Sequence, residues 1–335
     1  MLKKDNFFKN YFINLSKYNK NLKKTKKVFS SFIVDLKNNQ IPLLKSYEKN
    51  YEFDFSATTV KKFSKYRNIV VIGMGGSILG TKSIYSFLKK RIKKEVFFFD
   101  NLDLNLSLKY KKIKNLKNSC FIVVSKSGNT LETITNLGTI FSENLLKNKL
   151  IIITEITDNA LMAIANKYNA EIIEHKEFIG GRYSVLSETG MFPAALMGLN
   201  LMKFKNLKRL INNKNFISSL IQNVASIHTL NSKKINNSVI LNYDSSLNDL
   251  GYWYQQLVAE SLGKQGKGIN PILSFGPKDH HSLLQLYLDG PKDKFFTFFN
   301  SSKRENKLKV ARGIIPNNMG FLINKNLEFI INAQC

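Results

Sequence analysis

Four consecutive β-branched residues, Ile69-Val70-Val71-Ile72, run into Gly73 and then Met74-Gly75-Gly76-Ser77. An unbroken apolar run of this length reads as a short strand covered on both faces, the kind found in parallel sheets. The pattern recurs. A helix is predicted over 77–90, a strand over 96–99, a strand from Cys120 to Val124, and a helix from about 130. A strand over 150–154, a helix over 158–168 and a strand over 170–173 follow. Strands alternating with helices predict an α/β fold with a parallel sheet flanked by helices. The alternation restarts at Val239 to Asn242, with an amphipathic helix over 250–262 and an aromatic-rich strand over 294–300. A second α/β unit is therefore expected after a helical connection near 188–230. Residues 1–55 read as helical and peripheral, with Phe7, Phe8, Tyr11, Phe12 and Leu15 at helical spacing.

The chain has 335 residues, enough for two domains, and is 43% hydrophobic, enough for a sizeable core. Its formal charge is +27, from 51 Lys and Arg against 24 Asp and Glu. Such a balance raises nucleic acid or an acidic membrane surface as partners. The lysines are spread along the whole chain, however, which reads as compositional bias rather than a binding face, so no nucleic-acid partner is expected. The densest basic stretch, 19–27, is placed on a solvated helix face. Cys120 and Cys335 have neither metal-ligand spacing nor the makings of a disulfide framework. No apolar run reaches the length of a membrane span, and the N-terminus lacks an apolar signal segment. A cytoplasmic protein with no membrane partner is expected.

Two polar loops carry the first chemical signal. Open α/β sheets bind ligands at the carboxyl ends of their strands. Gly73-Met74-Gly75-Gly76-Ser77 follows one strand, and Ser125-Lys126-Ser127-Gly128-Asn129-Thr130 follows another. Glycines admit close backbone approach, a helix N-terminus offers free N–H groups, and Ser77, Ser125, Ser127 and Thr130 offer hydroxyls. Either loop alone could be turn geometry or an N-cap. Neither matches the dinucleotide fingerprint G-x-G-x-x-G or the P-loop. Together they point to a phosphorylated small molecule.

Three further stretches hold candidate chemistry. In Gly180-Gly181-Arg182 a glycine pair lets a cation lie close to backbone and substrate, unless the arginine simply sits on a surface turn. Gln256 and Glu260 share one helix face. Glu260 is either a partly desolvated general base or a solvated carboxylate paired with Lys264. In Asp279-His280-His281-Ser282 one histidine suits acid–base work, and no metal-ligand cluster surrounds the pair.

The segments IGMGGSILG, SKSGNTLET, GGRYSVLSETGMFPAALMG, WYQQLVAESLGKQGKG and DHHSLLQLYLDGP occur in this order over roughly 70–291. In these the chain resembles the phosphoglucose isomerase family. The resemblance implies two sugar-isomerase (SIS) domains, placed at 56–205 and 206–335 after the 1–55 segment. It also implies a dimeric, metal-independent enzyme without cofactors that interconverts glucose 6-phosphate and fructose 6-phosphate. Carried onto this chain, it makes Ser77, Ser125, Ser127 and Thr130 the phosphate ligands, with the Lys126 backbone nearby. Glu260 becomes the base, Arg182 the stabiliser of the intermediate, and Gln256, Gly75 and Gly76 line the sugar. His281 matches the ring-opening position, with His280 one place away in the motif.

The resemblance also implies a later helical segment that supplies a lysine for ring opening. The sequence stops at NLEFIINAQC, mid-helix by pattern, so the second domain is expected to be truncated and to expose apolar surface. Two other readings are a dual phosphoglucose/phosphomannose isomerase and a sugar-phosphate-sensing SIS regulator. The run of Glu260, Arg182 and His281 favours an enzyme over a sensor.

Overall fold

In the computed structural model, residues 14–113, 115–140, 149–301 and 308–335 are described, so the predicted helical phase of Phe7, Phe8, Tyr11 and Phe12 lies outside the described residues. Strands β1 (Asn68–Gly73), β2 (Glu95–Phe99), β3 (Ser119–Val124), β4 (Leu150–Thr154) and β5 (Glu171–Glu174) form one sheet. All neighbours are parallel and the order is β2-β1-β3-β4-β5. The chain moves from β1 to one side, then returns to place β3 on the other. That reversal opens a crevice beyond the carboxyl ends of β1 and β3, where both polar loops emerge.

Alternation along each strand sorts the core onto two faces. Ile69, Val71, Cys120, Ile122, Val124, Ile151 and Ile153 pack with Phe63, Ile78, Phe192 and Leu196. These belong to helices Ala57–Ser64, Gly76–Leu88 and Glu188–Leu196. Val70, Ile72, Phe121, Val123, Leu150 and Ile152 pack instead with Leu137, Ile140, Leu161 and Ala165. Those come from helices Leu131–Ile140 and Ala160–Tyr168. Burying both faces is why β1 and β3 contain no polar alternation.

The second unit is thinner. Strands β6 (Asn237–Asn242), β7 (Asn270–Phe275) and β8 (Lys294–Phe299) form a parallel sheet ordered β7-β6-β8. β7 adds to the expected elements. Pro271 near its start cannot donate to a ladder, which an edge strand tolerates. Helix Asn248–Leu262 runs from this unit back onto helix Gly76–Leu88. Lys82 bridges the two, with its ammonium 2.5 Å from Asp100 and 3.7 Å from Asp249. Helix Leu15–Lys37 packs beside helix Lys214–Asn231, where Asn21 donates to the Thr229 hydroxyl at 2.9 Å. Apolar surface is exposed late in the chain, at Phe298, Ile314, Phe321 and Phe329. Among the described residues no helix is long and apolar enough to cross a membrane, and no group of acidic, His and Cys residues could hold a metal ion.

Candidate active site

A cleft of about 800 Å³ opens at the crevice, and both polar loops line it through Gly76, Ser77, Lys126, Ser127 and Thr130. Gly75 caps helix Gly76–Leu88 with φ +52°, a backbone region that favours glycine. A Cβ on Gly75 would lie 2.9 Å from the Gln256 amide nitrogen. One on Gly76 would lie 2.3 Å from the Gly181 carbonyl carbon. The glycine loop therefore touches the Gly181–Leu186 turn on one side and helix Asn248–Leu262 on the other. The positive end of helix Gly76–Leu88 faces the cleft at Gly76 and Ser77.

The serine loop divides its labour. Ser127 and Thr130 line the cleft, whereas Ser125 is buried with its hydroxyl 2.7 Å from that of Thr130. Ser125 thus orients Thr130. The Lys126 ammonium donates to the Glu177 carbonyl at 2.7 Å and lies 3.4 Å from the Glu155 carboxylate. These partners turn its charge along the wall, toward the end of β4.

Arg182 and Glu260 meet across the units. An Arg182 Nη1 donates to Glu260 Oε2 at 3.4 Å, and Gln256 Nε2 donates to Glu260 Oε1 at 2.7 Å. Each carboxylate oxygen is thus held by a separate donor. The Glu260 side chain remains 48% exposed, so it is only partly withdrawn from solvent. Among the described residues its ion-pair partner is Arg182, and the alternative pairing with Lys264 is not formed. Arg182 in turn is fixed from three directions. Its Nε donates to the Ser261 hydroxyl at 2.9 Å, its guanidinium lies 4.5 Å from the Tyr183 ring centroid, and its carbonyl accepts from the Trp253 indole at 3.0 Å. The Ser261 hydrogen bond, then Arg182, hold the Tyr183 phenol below its ordinary pKa.

Several wall residues were not singled out from the sequence. Glu155 and Thr157 follow β4, and Glu174 and His175 end or follow β5. The rule that pointed to the loops after β1 and β3 applies equally to these strand ends. His175 is buried, its Nε2 has no partner among the described residues, and burial lowers its pKa. A neutral imidazole therefore sits beside the Lys126–Glu155 pair. Ser261 and Trp253 gave no signal of their own, since their role depends on where Arg182 arrives.

Neither His280 nor His281 lines the cleft. Both lie in the Lys278–His281 turn after β7. His280 is 2.7 Å from the Tyr243 hydroxyl, and His281 is exposed.

The sequence profile of the phosphoglucose isomerase family matches residues 37–275. A glucose-6-phosphate isomerase of Methanocaldococcus jannaschii is 39% identical over 260 residues, which are 75% of this chain and 64% of that protein. One of Campylobacter jejuni is 32% identical over 285 residues, 80% of this chain and 69% of that protein. The chain thus spans roughly two thirds of the length of these relatives. Among solved structures, a hypothetical protein of Thermus thermophilus superposes with a TM-score of 0.74 at 21% identity, covering 96% of this chain and 80% of the other. A glucose-6-phosphate isomerase of Chlamydia trachomatis gives 0.61 at 19%, covering 83% and 56%. These structural likenesses support the fold, and the sequence matches carry the family: the chain belongs to the phosphoglucose isomerase family.

Proposed function

We propose that the chain catalyses the reversible interconversion of glucose 6-phosphate and fructose 6-phosphate through an enediol(ate), a step of glycolysis and gluconeogenesis in the cytoplasm. One observation carries the reading: Arg182 and Glu260, from different units, meet over a cleft lined by Ser77, Ser127 and Thr130. The two loops and the positive helix end take the phosphate dianion. Glu260 removes the proton on C2 and returns it to C1, which one carboxylate can do because the carbons are adjacent. Arg182 stabilises the oxyanion that develops between these steps. Gln256 holds the carboxylate in orientation. The substrate undergoes only proton transfers, so the scheme needs no electron carrier or other cofactor.

His281 is the proposed ring-opening residue, yet it does not line the cleft of its own chain. The reading therefore includes a homodimer in which a second copy brings His281 to the sugar. The test is a coupled assay of fructose 6-phosphate conversion on this chain. Turnover supports the isomerase. Saturable binding of fructose 6-phosphate without turnover favours the sensing reading instead.

A further inference from the structure

A second cavity, of about 850 Å³, shares no residue with the cleft. It lies between the end of helix Leu15–Lys37, the segment after Pro42–Tyr47, and residues 205–212. Lys37, Lys49, Lys208 and Arg209 line it and are exposed, with no ion-pair partner among the described residues. Lys205 adds a buried fifth cation, and Glu48 is the single carboxylate of the lining. Two lysines, Lys26 and Lys214, also line a smaller cavity of about 320 Å³, against five cations here. Cations gathered on a low-dielectric wall focus a positive potential into the space between them.

The cavity is tied to the active-site arginine by two contacts. The Tyr47 hydroxyl lies 3.4 Å from the Tyr183 carbonyl, and the Lys205 ammonium donates to the Leu186 carbonyl at 2.6 Å. Both acceptors belong to the Gly181–Leu186 turn that carries Arg182. Lys205 also donates to the Ser46 carbonyl and lies 4.7 and 4.5 Å from the ring centroids of Tyr51 and Phe53.

We propose that this cavity binds a small, multiply phosphorylated molecule and that its occupancy reaches Arg182 through Lys205 and Tyr47. Four unpaired cations suit more than one phosphate, and the volume is that of a small-molecule site. A nucleic acid would require a groove that tracks its backbone. A phosphate oxygen makes a stronger partner for the Lys205 ammonium than a neutral carbonyl does. An anion competing for it loosens the hold on Leu186, which is the differential contact that coupling between sites requires.

The experiment reads binding, not turnover, so its outcome is separate from that of the isomerase reading. Inorganic tripolyphosphate is titrated calorimetrically into the full chain carrying Ser127→Ala and Thr130→Ala, which removes the hydroxyls of the phosphate loop. Adding Lys49→Glu, Lys208→Glu and Arg209→Glu should weaken binding at least about tenfold. Adding Lys90→Glu, Arg91→Glu and Lys93→Glu, the same charge change on exposed residues elsewhere, should alter it less than about twofold. Equal weakening by both sets, or no saturable binding, overturns the site. Trp253 is the single tryptophan and donates to the Arg182 carbonyl, so its emission reports the turn. Emission should shift on saturation with tripolyphosphate and shift less in Lys205→Met or, should that variant not fold, in Tyr47→Phe. Unchanged emission in the parent at saturation overturns the transmission.

Discussion

Arg182 Nη1 and Glu260 Oε2 lie 3.4 Å apart although 78 residues separate them in the chain. In the proposed isomerisation this pairing places the guanidinium beside the negatively charged intermediate. Substituting Glu260 by Gln preserves shape, leaves one accepting oxygen for the two donors and removes the proposed base. Turnover should fall by about 10²- to 10⁴-fold, the range general base catalysis supplies, while the Kd for fructose 6-phosphate stays within about threefold. Coupled kinetics with calorimetry measure both, and surviving turnover would reassign the base.

Ser127 and Thr130 present hydroxyls to the cleft, with Ser125 behind them. Each hydrogen bond to a charged group is worth about 1.5–3 kcal/mol. Replacing both Ser127 and Thr130 by Ala should therefore weaken fructose 6-phosphate binding by roughly 10²-fold or more. Binding of unphosphorylated fructose should not change. A parallel loss for both sugars would mean that the loop does not hold the phosphate.

Two glycines allow a paired test of close approach. A Cβ on Gly76 meets backbone at 2.3 Å, so Gly76→Ala must push the Gly181–Leu186 turn away and displace Arg182. Activity should drop at least about tenfold through this displacement, with a cost in thermal stability. Gly138 lies exposed in helix Leu131–Ile140, with nothing within 4 Å of its added Cβ. Gly138→Ala should leave activity alone and stabilise the chain by about 0.5–1 kcal/mol, read from urea unfolding.

Burial lowers the Lys205 pKa to about 8, partly offset by Glu188. An unfolded lysine titrates near 10.4. Between these values the unfolded chain holds a proton that the folded chain has released, so stability rises with pH across that window. Tyr51, raised by burial and Glu188, works in the opposite sense above about pH 10, where an unfolded phenol ionises. The gain should therefore appear between about pH 8 and 10. Urea midpoints of the parent and of Lys205→Met, each measured across this range, should converge toward the alkaline end if the parent is the less stable at pH 7, or diverge if it is the more stable. Parallel curves would mean that Lys205 keeps an ordinary pKa.

His281 provides a test of assembly. Glu260→Gln and His281→Ala chains should each be inactive. Refolded together, they should recover about a quarter of parental activity, because half of the dimers form one intact site in two. No recovery would place the histidine's action within one chain.

Much of this was legible in the sequence because local rules govern it. The apolar runs from Ile69 and Cys120 require strands buried on both faces, and the hydroxyls and glycines that follow them must emerge at the carboxyl ends of those strands. The spacing of Gln256 and Glu260 puts them on one helix face wherever the helix goes. Tertiary structure decided what those groups meet. It brought Arg182 to Glu260 rather than leaving Lys264 as its partner, set Ser125 behind Thr130, and left His281 outside its own cleft. It also joined Tyr47 and Lys205 to the Arg182 turn across more than a hundred residues in one case and fewer than twenty in the other. Secondary structure follows from neighbours along the chain, whereas an ion pair or a shared cavity depends on how separate elements pack, and no periodicity records that.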